Sequence, residues 1–446
     1  MKAVFTGTLT EADHKSHVPV AFDVAPGTTR LVARFASTPE RAPGAFFDNL
    51  ISLSLFGPGG ARGARHNNPV REIVIEPSRA TPGYLAGPIE AGRWTLFMDT
   101  FRVLGPTGWR LEIDCETGPV APAPAPAATP VARPTAPRGP GWYRGDLHAH
   151  TLHSDGSWDI ADLVAWARRR RLDFVTLTDH NTPSGHAELL ALGGDDLLTM
   201  GGIELTTHHG HALSLGRRDW QEWRSGAVSG RSMAEIAAEV MGKGALFVIA
   251  HPLSPGDPAC TGCRWEYGDM RPGPARIVEI WNGGPWADYN EAGLALFRQW
   301  LAEGHRLVAT AGSDIHGPEG DGAEAGFNHV QADALTEAAV LEAVRSGRNY
   351  LSSGPRLILT AETAAGTIGM GGTAAPDARL VVDWQTGGQD LALRIHDASG
   401  LLEQHDLAAG ATGRTGVTAA ARGFAMAELR DAGGRLHAVT NPVFVA

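Results

Sequence analysis

A succession of short apolar runs, each tied to a histidine or a carboxylate, leaves this chain few folds to choose from. Phe174-Val-Thr-Leu177 leads into Thr178-Asp179-His180, Leu198-Thr-Met-Gly-Gly-Ile203 into Glu204, and Ala245-Leu-Phe-Val-Ile-Ala250 into His251. Ile277-Val278 leads into Glu279 and Leu307-Val-Ala-Thr-Ala311 towards Asp314-Ile-His316, while His211 lies within Gly210-His-Ala-Leu-Ser-Leu215. Apolar runs of this length, bounded by Gly and Pro, read as buried parallel strands, and the stretches between them as helices. The expected class is α/β, a barrel whose catalytic groups gather at the carboxyl ends of its strands.

The densest segment is His148-Ala-His150-Thr-Leu-His153-Ser-Asp155-Gly-Ser157, directly behind Asp146-Leu147. Residues i and i+2 of an extended segment point to one face, so His148 and His150 can aim both imidazoles at one ion. Asp155, on a glycine turn, can curl back towards the same cavity. Histidine with carboxylate favours zinc, manganese or iron over calcium or magnesium. Asp314-Ile-His316 repeats the device.

Helical signals fit between the runs. Ile160, Leu163, Val164 and Ala167 form an amphipathic stripe. Ser232-Met-Ala-Glu235 is a capping box ahead of Ile236, Val240 and Met241. Arg168 to Arg171 fan around a helix axis and read as a solvated helix end, where cations suit the dipole, rather than as a nucleic-acid contact.

In this order, His148-x-His150, Ser154-Asp155-Gly156, Thr178-Asp179-His180, Gly202-Ile203-Glu204, His211, His251-Pro252 and Ser313-Asp314-x-His316 resemble the motifs of the PHP (polymerase and histidinol phosphatase) superfamily. Gly210-His-Ala-Leu-Ser-Leu-Gly216 and Glu279-Ile-Trp-Asn282 resemble its carbaryl-hydrolase-like branch. The resemblance covers about residues 140 to 355. It implies a distorted (β/α)7 barrel with two or three divalent metal ions (Zn, Mn or Fe) in its mouth. Carried over by position, His148, His150, Glu204 and Asp314 would hold one ion. Glu204 would bridge to a second with His211 and His316, and Asp155, His180 and His251 would hold a third. His208 and His209 compete with His211, which is preferred for its glycine–histidine motif, and His153 is expected outside the ligand set.

Such a site implies metal-dependent hydrolysis, with Glu204, Asp314 and His316 as catalytic residues and Asp314 also as proton shuttle. A hydroxide bridging two cations about 3.5–4 Å apart is a strong nucleophile at neutral pH, so no Ser or Cys nucleophile is needed. Phosphate esters, the commonest substrates of the superfamily, are favoured. Carbamate or carboxylic-ester hydrolysis is the alternative, and a binding or regulatory protein with structural metals a third. An open coordination position would mark catalysis.

Substrate choice is then expected in loops. The stretch Pro252 to Pro274 offers Arg264 and Arg271 to a phosphate, and Trp265 and Tyr267 to an aryl group. Asn181 and Asn282 are further candidate substrate contacts, with Glu279 behind the ligands. Cys260-Thr-Gly-Cys263 shares that loop. With Cys115 the only other cysteine, it lacks the partners for a zinc site and reads as a reduced pair or, in an exported protein, a small disulfide.

Around the barrel (residues 140–355) the chain divides by composition. Residues 117–139, including Pro119-Val-Ala-Pro-Ala-Pro-Ala-Pro126, suit a semi-rigid spacer. Residues 1–116 alternate apolar and polar positions between Gly/Pro turns, as in Ile51-Ser-Leu-Ser-Leu-Phe56, and suggest a β-sandwich that loosely resembles a jelly roll, with a lid or oligomer contact favoured over carbohydrate or partner binding as its role. Residues 356–446 return to strand patterns and suggest an Ig-like β-sandwich packed closely on the barrel. With 38 basic and 49 acidic residues, the net charge of −11 argues against a nucleic-acid track or an anionic membrane surface as general partner. No run is long enough to span a bilayer, and Met1-Lys-Ala-Val-Phe-Thr-Gly7 lacks the apolar core of a signal peptide. The expectation is a cytoplasmic enzyme acting on a small molecule, with a homo-oligomer left open.

Overall fold

The computed structural model describes residues 2–119, 138–318, 324–418 and 420–446. The Pro/Ala-rich spacer expected over 117–139 falls largely outside them. The first part of the chain forms two antiparallel four-stranded sheets. One is ordered Lys2–Leu9, Thr107–Glu116, Arg30–Thr38, Glu72–Ile75, and the other Ser16–Val24, Gly92–Arg102, Leu50–Gly57, Gly60–Arg65. Their alternating inward residues, among them Leu31, Phe35, Leu55, Trp94, Met98 and Ile113, meet in one buried cluster, as the period-2 pattern requires.

Seven strands surround the histidine-rich motifs: Gly141–Asp146, Phe174–Leu177, Leu198–Thr207, Gly210–Leu215, Leu246–Ile249, Ile277–Asn282 and Val308–Gly312. Tyr143, Phe174, Met200, Leu213, Val248, Ile277 and Val308, one from each strand, share a buried cluster. The helix Ile160–Arg169 buries the expected stripe, and Asp159 caps it by accepting from Asp162 N. The helix Met233–Gly242 starts on the expected capping box between Ser232 and Glu235.

Strict (β/α)7 alternation is not what forms. Leu198–Thr207 turns directly into Gly210–Leu215, which runs antiparallel to both neighbours. Gly210 at φ 148 permits this tight reversal. Between Leu246–Ile249 and Ile277–Asn282 no helix intervenes. Pro252, Pro255, Pro258, Pro272 and Pro274 break any helical run there by removing amide donors. The other strand pairs within the seven are parallel.

The first and seventh strands meet through a parallel bridge, Ala149 with Ile315. There Asp314 N donates to His148 O at 2.9 Å and His150 N to Ile315 O at 2.9 Å. Further down, side-chain amides replace the missing ladder. Asn328 accepts from Ala311 N at 3.1 Å and donates to Ala311 O at 2.6 Å. Asn441 does the same for Ala309 at 2.6 and 3.0 Å. The other edge of the first strand continues through Phe327–Ala332 and Asn349–Ser352 into Leu436–Thr440, Phe424–Arg430, Leu391–Asp397 and Gly400–Leu407. One sheet therefore runs from the seven strands into the C-terminal sandwich. The opposing sheet, Gly366–Gly369, Arg356–Thr363, Arg379–Gln385, Thr412–Gly416, closes over it on Leu357, Val382, Leu393 and Leu429.

Candidate metal centre

Strand ends deliver the site. His148 and His150 leave the first strand with ring centroids 5.0 Å apart, the shared face expected of i, i+2 positions. Glu204 comes from the third strand, His251 follows the fifth, and Asp314 and His316 follow the seventh. His211 does not follow a strand end as expected. It opens the antiparallel strand, whose start lies at the rim where its neighbours finish.

Glu204 is the hub and is wholly buried. Its Oε2 lies 3.1 Å from His148 Nε2, 3.2 Å from His150 Nε2 and 3.0 Å from His180 Nδ1. Its Oε1 lies 2.9 Å from His211 Nδ1 and 3.1 Å from His251 Nε2. Asp314 Oδ1 completes one group at 3.0 Å from His150 Nε2 and 3.4 Å from His148 Nε2. Asp155 Oδ1 gathers His316 Nε2 at 3.2 Å and His180 Nε2 at 3.4 Å.

Among the described residues these side chains make three overlapping groups whose ligand atoms lie within 4.8 Å of one another. They are His148, His150, Glu204 and Asp314; His150, Asp155, His180 and His316; and His180, Glu204 and His211. The first is the expected quartet. The other two group the histidines differently from the expected partition, with His316 beside Asp155 and His180 and with His251 in neither group. His316 joins Asp155 and His180 instead of His211, because the Asp314–His316 segment runs along the first strand and its carbonyl accepts from Ser157 N at 2.6 Å. His251 sits across the rim beside His211, at 5.2 Å between ring centroids, because Ala250 N pairs with His211 O.

The residues fit divalent cations by their unsatisfied atoms. His211 Nε2 is buried without a hydrogen-bond partner, and His148 Nε2 and His150 Nε2 face Glu204 Oε2 at 3.1 and 3.2 Å without hydrogen-bond geometry. Burying such atoms unmatched is costly, whereas a cation satisfies several lone pairs at once. Burial alone would raise the Glu204 carboxyl, but the imidazoles of His148, His180 and His211 hold it well below the usual carboxylate range. Asp155 is depressed in the same way, burial being outweighed by His180 and His316.

Behind the ligands stands Glu279. His148 Nδ1 donates to it at 3.0 Å, Asn282 Nδ2 at 3.0 Å and His251 N at 3.3 Å. This holds His148 Nε2 towards Glu204 and Asp314, the outer-shell arrangement that orients metal-binding histidines. Gly312 makes the space, since a Cβ there would lie 2.2 Å from Glu279 Oε1 and 2.3 Å from His148 Cβ. Asp179, unassigned by sequence pattern, accepts from Thr151 N and from the hydroxyls of Thr151 and Ser154, fixing the loop to Asp155. Asp146 does the same for Ser313. Both acids stand in quoted motifs, so their positions were visible while their roles were not. Three non-glycine residues at the site have left-handed backbone: Asn181 (φ 59), His251 (φ 26) and Asp314 (φ 49). Strain of this kind persists where surroundings over-determine the conformation.

The expected substrate contacts divide. Asn282 reaches the cluster, with Nδ2 3.2 Å from Asp314 Oδ2. Asn181 is consumed in structure: its amide brackets Thr206, donating to its carbonyl at 3.0 Å and accepting from its N–H at 2.8 Å. Arg264 is exposed, donating to Ser254 O at 3.3 Å, and Arg271 is exposed beside a cis-Pro272. Among the described residues neither is joined to the cluster, because the proline-rich loop turns their side chains outward. Trp265 is buried in the barrel's core and Tyr267 donates to Thr207 Oγ1 at 2.9 Å. His153 lies outside the three groups, its Nδ1 2.8 Å from Ser184 Oγ. His209 faces Glu266 at the surface and His208 packs on His17. Cys260 and Cys263 are joined as a disulfide, a pairing typical of oxidising compartments, and Cys263 O accepts from His251 Nδ1 at 3.2 Å.

The class that fold and site define is a mixed α/β protein with a buried polyhistidine–carboxylate cluster. No protein-family model and no curated protein matches this chain. Among solved structures it is similar to a two-domain protein from Bacteroides vulgatus containing a predicted PHP-like metal-dependent phosphoesterase. That likeness has 18% identity and a TM-score of 0.41, and covers 70% of this chain and 98% of that one. It is also similar to a candidate metal-dependent phosphoesterase from Bifidobacterium adolescentis (20% identity, 40% of this chain, 88% of that one, TM-score 0.31). An amidohydrolase from Chromobacterium violaceum, with bound sulfate and no metal, gives 18% identity over 40% of this chain and 89% of that one, TM-score 0.28. Likenesses this distant carry no weight on activity. No helix among the described residues is long and apolar enough to cross a membrane.

Proposed function

We propose that this chain is a metal-dependent hydrolase of the PHP superfamily, acting on small phosphate esters. The observation that carries the reading is the gathering of histidine and carboxylate ligand atoms from distant segments into three overlapping groups, each within 4.8 Å and two of them sharing the buried Glu204. His148, His150, Glu204 and Asp314 would hold one ion, Asp155, His180 and His316 a second, and Glu204, bridging, with His211 and with His251 alongside, a third. Divalent cations in such a cluster supply an acidified water and polarise the oxygen of a bound ester.

The chain's own residues supply orientation and access. Glu279 fixes His148, and Asn282 bridges Glu279 to Asp314. Side-chain exposure falls from 39% at His316 and 22% at Asp314 to 1% at Glu204, so substrate approaches over Asp314 and His316. Asp314, ionised and at that opening, is placed to take a proton at its carboxylate while Asn282 steadies Oδ2. Neither Arg264 nor Arg271 reaches this edge, which leaves anion binding to the cations and to neutral donors.

Hydrolysis rates for an aryl phosphate monoester, a diester and an N-methylcarbamate with one common leaving group test the reading. The protein is stripped and reloaded separately with Mn, Zn and Fe(II). Metal-dependent preference for a phosphate is expected. Preference for the carbamate would replace the substrate class, and no metal-dependent turnover of any ester would sink the assignment.

A further inference from the structure

The N-terminal sandwich reaches into the centre. Arg65 Nη2 donates to Leu152 O at 2.6 Å and Asn68 Nδ2 to Ser154 O at 2.7 Å, clamping the loop between His150 and Asp155 from both sides of His66. His66 is 7% exposed, and its ring centroid lies 4.8 Å from that of His180 and 4.5 Å from that of Phe101. The turn that presents it passes through Asn67 at φ 42, a conformation few side chains adopt without support.

One nitrogen of the imidazole is engaged within the sandwich. Ser52 Oγ accepts from Asn67 N at 3.2 Å and lies 3.0 Å from His66 Nδ1. The serine oxygen has a second lone pair, so this contact serves either tautomer of the ring; in the tautomer that accepts the serine hydrogen at Nδ1, Nε2 carries the proton. Among the described residues Nε2–H has no protein partner, although the ring stands over a metal-ligand histidine.

We propose that His66 is a substrate-binding residue supplied by the N-terminal sandwich, its Nε2–H donating to an anionic oxygen of the ester held at the His180 side of the centre. This rests on the hydrolase reading and adds a second domain to its active site. It also provides the neutral donor that the outward-facing arginines do not. A phosphate oxygen carries charge, and hydrogen bonds to charged groups are the stronger kind.

The test uses the full chain, loaded with metal, and inorganic phosphate as probe. Metal affinity and phosphate affinity are measured for wild type, His66→Phe and His66→Gln. Phenylalanine retains the ring packing on Phe101 without a donor, and glutamine restores an N–H. Phosphate binding about tenfold or more weaker in His66→Phe, partly recovered in His66→Gln, with metal affinity unchanged, is the expected result. Equal phosphate affinity in wild type and His66→Phe overturns the proposal and leaves the hydrolase reading standing. Parallel loss of metal and phosphate affinity also overturns it, since His66 would then act through His180. A wild type that takes up no metal overturns both.

Discussion

Replacing Glu279 with glutamine isolates the orientation of His148 from its presence. The substitution preserves volume and opens no cavity, and the side chain is 1% exposed, so water cannot repair what is lost. The carboxylate accepts from three donors: His148 Nδ1 at 3.0 Å, Asn282 Nδ2 at 3.0 Å and the His251 amide at 3.3 Å. Glutamine keeps one acceptor oxygen and turns the other into a donor. Either His148 Nδ1–H or the Asn282–His251 pair must then face an amino group. Loss of such an outer-shell partner costs about 10–100-fold in metal affinity, roughly 1.4–2.7 kcal/mol. Competition against a chromogenic chelator, on protein stripped of metal, reads this directly. Glu266→Gln is the control, because that carboxylate pairs only at the surface with Lys15 and His209. Metal affinity in Glu279→Gln within threefold of wild type would refute the claim that Glu279 sets the direction of His148 Nε2.

Further outcomes follow from other contacts. Glu204→Gln, at the hub of five histidines, should abolish metal-dependent turnover and release metal, and a variant retaining one tenth of wild-type activity would contradict the hub assignment. A chain beginning at Arg138 should lose phosphate affinity and turnover even if soluble and folded, because Arg65, His66 and Asn68 leave with the sandwich; undiminished turnover would reduce that sandwich to an appendage. Asn441→Ala leaves the buried Ala309 N–H without a partner while Asn349 Nδ2 still donates to its C=O, and should cost about 1–3 kcal/mol by chemical denaturation. Burial, reinforced by His17, His209, Lys15 and His14, pushes His208 down to about 2, so the folded chain keeps it neutral while the unfolded chain protonates near 6.5. Stability contributed by this residue is intact above about 6.5 and falls by roughly 1.4 kcal/mol per pH unit below it. His208→Gln should flatten that slope in melting curves, and an unchanged slope would show that His208 is protonated in the folded state.

The ligand types, their order and the strand–loop frame that carries them were legible in the sequence, because each depends on neighbours along the chain. The i, i+2 spacing put His148 and His150 on one face, the capping box started a helix at Ser232, and Gly210-His211 picked out, of three candidates, the histidine that lies beside Glu204. The pairing of His316 with Asp155, and of His251 with His211, was not legible. It depends on which strands lie side by side at the barrel's seam and hairpin, and strand order is a property of long-range hydrogen bonding. For the same reason Asn181 looked like a substrate contact until its amide was found closed on Thr206. Arg264 and Arg271 looked like phosphate clamps until the loop turned them outward.

His66 marks the limit most clearly. Nothing near it in sequence resembles a metal motif, and it precedes His148 by a sandwich edge and the residues of the spacer. Only docking of that sandwich on the loop from His150 to Asp155 brings it over His180. The sequence alone determined which atoms were chemically competent to hold cations. The tertiary structure decided which of them meet, because proximity between distant segments is set by packing and strand order rather than by spacing along the chain.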